Sequence, residues 1–155
     1  MKIQFMKMLM VLFLLAGVTN VPVRAQALIE GRIEADVPFA FIVKDTSLPA
    51  GKYMLTRLDQ TNPQVLEIRS ANGGKAVVMF EAENAQIAQI PRNPELVFNK
   101  VGEQYFLSQI WADDTDIGYQ LPMTKAEERL EASGMKSEHR SILAKMFKKT
   151  KNTKN

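Results

Sequence analysis

The chain has 155 residues, 20 Lys and Arg against 17 Asp and Glu, one histidine and no cysteine. That size suits a single domain with its own hydrophobic core, and the missing thiols exclude disulfide staples, a cysteine-linked lipid anchor and cysteine-based catalysis or metal binding. With His139 alone among polar neighbours, neither a catalytic triad nor a two-histidine metal centre is expected.

The first element is a leader. Lys2 and Lys7 precede an uncharged apolar run from Met8 to Val18, which falls short of the about 20 residues that span a bilayer. Val23-Arg24-Ala25 and Ala25-Gln26-Ala27 both fit signal-peptidase sites, so residues 1–25 read as a signal peptide with cleavage after Ala25 or Ala27. Leu15-Ala16-Gly17 is followed by Val18 rather than the cysteine a lipoprotein needs. The expected product is exported, periplasmic or extracellular, with no transmembrane span after cleavage. Removing Lys2, Lys7 and Arg24 leaves 17 basic residues against 17 acidic ones, and the remaining charge is uneven. All 17 acids lie at or before Glu138, whereas Arg140, Lys145, Lys148, Lys149, Lys151 and Lys154 follow it, giving an acidic body with a basic end.

Arg32 to Val43 alternates, with Ile33, Ala35, Val37, Phe39, Phe41 and Val43 on one face, and predicts a long strand bent at Pro38. Leu48-Pro49-Ala50-Gly51 is a turn, and Lys52 to Leu58 a strand with Tyr53 and Leu55 on one side. After Asn62-Pro63, the strand Val65 to Ser70 points Leu66 and Ile68 inward, and Asn72-Gly73-Gly74 closes a hairpin onto Ala76 to Phe80. Glu81 to Asn93 reads as a loop. A second hairpin joins Leu96 to Val101 with Tyr105 to Ala112 through Gly102-Glu103-Gln104, and Asp113 to Gly118 is a further turn.

The pattern changes at Pro122. Thr124 and Glu127 form a capping box, and Ser133-Gly134 ends that helix. Ser137 then caps a second predicted helix in which Ile142, Leu143, Met146 and Phe147 repeat at helical spacing. Residues 148–155 carry no apolar side chain and read as a disordered basic tail. The fold class expected is therefore all-β and mainly antiparallel, a β-sandwich or small barrel over 28–121, with a helical extension over 122–147.

Val37-Pro38-Phe39-Ala40-Phe41, Leu48-Pro49-Ala50-Gly51-Lys52-Tyr53, Tyr105-Phe106-Leu107-Ser108-Gln109-Ile110-Trp111 and Leu121-Pro122 with Ala126-Glu127-Glu128-Arg129-Leu130 resemble an uncharacterised family of small exported proteins of acidobacterial type. The resemblance implies export and a β fold, covers most of the chain after the leader except residues 135–155, and carries over no catalytic or binding residue.

Other candidate chemistry has a plainer alternative at each place. Glu34, Asp36, Glu67 and Glu81 fall on outward strand positions, where solvated charge is ordinary and a buried acid pair is not expected. Asp113, Asp114 and Asp116 resemble the start of a calcium loop, but the twelfth position counted from Asp114 is Lys125 rather than glutamate, which favours a structural turn. Tyr105, Leu107 and Trp111 alternate onto one face, which favours core packing over an exposed aromatic platform. Lys145, Lys148, Lys149, Lys151 and Lys154 beside the apolar stripe could meet an anionic surface. No cofactor and no nucleic-acid partner is expected. The function expected is non-enzymatic, through contact with an envelope protein or anionic surface; the alternative is a periplasmic small-molecule or lipid-binding β-barrel.

Overall fold

The alternation that begins at Ile33 is converted into a barrel by strands that change partners partway along their length. The computed structural model describes residues 31–58, 61–74 and 77–148; the leader, its cleavage sites and Lys149, Lys151 and Lys154 of the basic tail lie outside the described residues. Within them are β1 (Gly31–Val37), β2 (Phe41–Val43), β3 (Thr46–Leu48), β4 (Gly51–Arg57), β5 (Val65–Ser70) and β6 (Val77–Glu81). There follow β7 (Glu83–Gln86), β8 (Glu95–Val101), β9 (Gln104–Trp111), β10 (Ile117–Gln120), a helix α1 (Lys125–Ala132) and β11 (Ser137–Lys148).

The strand order is β3-β2-β9-β8-β11-β1-β4-β5-β6. Strand β6 runs through the buried Ala82 into β7, β7 pairs with β10, and β10 pairs with β9, so the sheet nearly closes on itself. Every pairing is antiparallel except a single parallel bridge, Ile42 to Phe106, between β2 and β9. The all-β, mainly antiparallel expectation holds, in barrel form.

Side chains fill the interior. Ile33, Val37, Leu55, Ile68, Leu96 and Ile110 are almost wholly removed from water, and full burial of a side chain of this kind is worth about 1.5–3 kcal/mol. An aromatic series crosses the interior. Tyr53 meets Phe41 edge-on at 5.1 Å, Phe41 meets Phe98 at 5.3 Å, Phe98 meets Phe39 at 5.2 Å, and Phe39 stacks on Tyr105 at 3.9 Å. The short link between β1 and β2 delivers Phe39 and Phe41 to that series.

Both hairpins form where expected. Gly73 takes φ +74° between β5 and β6, and Gly102 takes φ +63° between β8 and β9. The capping box on α1 is complete: the Glu127 amide donates to Thr124 Oγ1 at 3.1 Å, and the Thr124 amide to Glu127 Oε2 at 3.4 Å. At its other end Gly134 has φ +89°, its amide donates to the Glu131 carbonyl, and the Met135 amide donates to the Leu130 carbonyl. This Schellman closure ends the helix where Ser133-Gly134 indicated.

The second helix is absent. Ser137–Lys148 is β11, whose first seven residues pair with β8 and whose last five pair with β1. The spacing of Ile142, Leu143, Met146 and Phe147 fits a helix, but Ile142, Ala144 and Met146 also fit a period of two. As a strand this segment buries those three against the core and supplies backbone partners to β1 and β8 together. An isolated helix of that length is marginal in water, so the ladder wins.

Three smaller expectations are also corrected. The strand expected to continue through Pro38 breaks there, because proline has no N–H for the ladder, and resumes as β2. Four residues of the segment read as a loop form β7, ordered by β10 rather than by apolar alternation. The aromatic strand does not keep one face inward: an irregularity at Val97/Phe98 shifts the register, so Phe106 and Leu107 are buried side by side, as are Ile110 and Trp111. Trp111 is buried as expected, against Gly118.

Candidate functional site

Because β11 is a strand, its apolar residues divide between two faces. Ile142, Ala144 and Met146 point to the core, while Leu143, Lys145 and Phe147 point outward. Leu143 remains 68% exposed and Phe147 44%, which is unusual for large apolar side chains on a folded sheet.

Registers extend that outer face across four more strands. Phe147 lies opposite Arg32, Arg32 opposite Thr56, Thr56 opposite Glu67 and Glu67 opposite Met79, itself 61% exposed. The next row runs Lys145, Glu34, Met54, Arg69 and Val77. The first row has apolar residues at both ends with charge between them; the second begins at Lys145 and ends at Val77. The Arg32 guanidinium lies over the Phe147 ring, 4.9 Å from its centroid, and its Nε is 2.8 Å from Glu34 Oε1. Arg69 holds Glu67 with two nitrogens, at 2.8 and 3.0 Å.

Where β11 leaves β8 and takes up β1, the sheet opens. The last β8 pair is Leu143 with Glu95, the first β1 pair is Ala144 with Ala35, and the Ala144 amide donates to the Pro94 carbonyl at 2.7 Å. A half-open recess of about 470 Å³ lies at this seam, walled by Glu34, Asp36, Lys52, Asn93, Leu143 and Lys145. Its charges alternate in sign, so it selects neither a strong anion nor a strong cation.

Of the predicted cationic residues, Lys145 and Lys148 lie within the described residues. Lys145 is exposed on the outer face opposite Glu34, while Lys148 reaches Asp114 Oδ2 at 3.6 Å on the acidic body. Lys149, Lys151 and Lys154 are outside the described residues. His139 is exposed, in a strand rather than a helix, opposite Asn99.

The Asp113–Asp116 segment is a turn, with Asp114 at φ +59° and Asp116 Oδ2 accepting from Gln86 Nε2 at 2.8 Å. Among the described residues no three of His, Cys, Asp and Glu converge, and no helix is long and apolar enough to cross a membrane. The four outward carboxylates stay apart: Glu34 and Glu67 are ion-paired, and Asp36 and Glu81 are exposed. Glu127 is the buried carboxylate, spent on its cap and on accepting from Asn99 Nδ2 at 2.8 Å.

Leu143, Phe147, Val77 and Met79 were not singled out as a face from the sequence. The available signal was the period of two hidden inside the apparent helical repeat at 142–147. No family model matches the chain, and no curated protein or solved structure matches it either.

Proposed function

We propose that this chain is exported, loses its leader after Ala25 or Ala27, and works outside the cytoplasm as a non-enzymatic protein-binding β-domain. The observation that carries this reading is the outer face of β11, β1, β4, β5 and β6, where exposed Leu143, Phe147 and Met79 frame paired charges. Exposed apolar groups interspersed with paired charges fit a protein partner.

Two further features favour a protein over the alternatives. Among the described residues the charges of this face are mixed in sign, with Lys145 opposite Glu34 beside the Arg32–Glu34 and Arg69–Glu67 pairs, which favours a protein over an anionic lipid surface. The core is filled by side chains, the buried rings of Tyr53, Phe41 and Phe98 among them, where a ligand-carrying barrel needs an interior cavity.

The test places a photo-crosslinking residue at Phe147, with a control at Glu103 in the β8–β9 turn, in the exported protein. Discrete protein adducts from position 147 and none from 103 are expected, with N-terminal sequencing giving Gln26 or Leu28. Flotation with anionic phospholipid vesicles in place of protein adducts would overturn the protein-binding reading, and retention of the leader in the cytoplasm would overturn export.

A further inference from the structure

Ser137–Leu143 pairs with β8 along one edge, and pairing with β1 begins only at Ala144. Among the described residues nothing continues the ladder on the other edge of these seven. Ser137 to Ser141 are exposed on both faces of the strand. The segment contains no proline, lysine or bulge, the usual devices that keep a free edge from pairing.

Its charge order is self-complementary. When two antiparallel copies of one strand meet on a twofold axis normal to the sheet, the axis must pass through a residue so that facing side chains share a face. With the axis at His139, Glu138 faces Arg140 of the second copy and Arg140 faces its Glu138. Moving the axis to Glu138 or Arg140 sets like charges against each other. The same register sets Ser137 opposite Ser141. Charge order and free backbone therefore select the same arrangement.

We propose that β11 is a homodimerisation edge: two copies join antiparallel through residues 137–141 about a twofold at His139, making one sheet continuous across both barrels. Backbone hydrogen bonds supply the attraction, and the two Glu138–Arg140 pairs set the register. Leu143 and Phe147 lie beyond this ladder, so the dimer and the protein-binding face are separable.

The test is sedimentation velocity across a concentration series on the chain from Leu28 onward, with hydrogen exchange at both ends of the series. Wild type is expected to dimerise with rising concentration, and amides within 137–141 to gain protection in the dimer. E138R and R140E should each weaken self-association about tenfold or more, since each sets like charges together twice. Mixed, the two variants should pair with each other, and the double variant E138R/R140E should recover wild-type association. Glu138 and Arg140 are both exposed, so circular dichroism should keep its β signature in each variant, while E138R faces Lys100 within its own sheet and its melting midpoint should fall slightly. A wild type that remains monomeric at 0.1 mM-scale concentrations, about the upper end of a useful weak affinity, overturns the proposal. So does a dimer indifferent to both single variants, or one that leaves 137–141 unprotected.

Discussion

Gly118 lies flat beneath the Trp111 ring: a Cβ at this position would meet the indole and come within 2.6 Å of the Ile110 carbonyl oxygen. The two residues are direct partners across the β9–β10 ladder, so neither can move aside without loosening that pairing. Gly118→Ala is expected to destabilise the fold by about 1–3 kcal/mol through overpacking. Trp111 is the single tryptophan, so its fluorescence during urea unfolding reads both the stability and the local displacement. An unchanged midpoint and emission maximum would contradict the packing.

Asn99 and Glu127 tie α1 to β8 through one hydrogen bond at 2.8 Å, with the carboxylate buried. Glu127→Ala removes that acceptor and one half of the capping box, and is expected to cost about 1–3 kcal/mol. Thr124→Ala, which loses only the cap, should cost about 1 kcal/mol. A double-mutant cycle on Asn99 and Glu127 should give a nonzero coupling; strict additivity would mean the bond contributes nothing.

Phe98 touches both Phe39 and Phe41 within the aromatic series. Phe98→Ala should destabilise by about 3–5 kcal/mol, because the surrounding strands cannot collapse into the space left. Phe147→Ala, on the outer face, should cost far less while abolishing crosslinking-competent partner binding. Chemical denaturation of the two variants side by side separates core from contact surface.

Tyr53 and Tyr119 donate their hydroxyls to the Pro49 and Pro63 carbonyls at 2.7 and 2.9 Å. Burial raises both above the usual tyrosine value of 10.0; for Tyr119, the positive charge of Arg57 opposes part of that rise. The folded protein therefore holds these protons more tightly than the unfolded chain. Their contribution is complete below about pH 10 and is lost as pH climbs through the raised values. Stability measured by urea titration should fall steeply in that alkaline range, and the slope should flatten in Tyr119→Phe. A wild-type profile that stays level past pH 11, about one unit above the usual tyrosine value, would refute the linkage.

Ending the chain at Gly134 removes β11 and exposes the facing edges of β1 and β8. Loss of cooperative unfolding is expected, with aggregation, whereas removal of a peripheral helix would leave the barrel intact. Size-exclusion and thermal melting of the truncated chain decide between them.

The strands that could be read from the sequence are those whose neighbours in the chain are also their neighbours in the sheet. Val65 to Ser70 and its Asn72-Gly73-Gly74 hairpin, and the Gly102 hairpin, needed only local alternation and a residue tolerant of positive φ. The α1 helix carried its own boundary marks in Thr124, Glu127 and Gly134. Strand β7 carried none, since Glu83 to Gln86 has no apolar alternation and is ordered by β10, more than 30 residues away along the chain. The outer face was hidden for the related reason that Phe147 meets Arg32 only through the register.

Composition and pattern alone determined the leader-like start, the acidic body with a basic end, the lack of thiol chemistry and the all-β class, because each depends on residue type and short-range spacing. The fate of Ser137–Lys148 was decided by tertiary structure. Its side chains satisfy helical and strand periods alike, and two open strand edges, at β1 and β8, supplied the hydrogen-bond partners that made it β11. That one choice splits its apolar residues between core and surface and leaves seven residues with an unpaired edge.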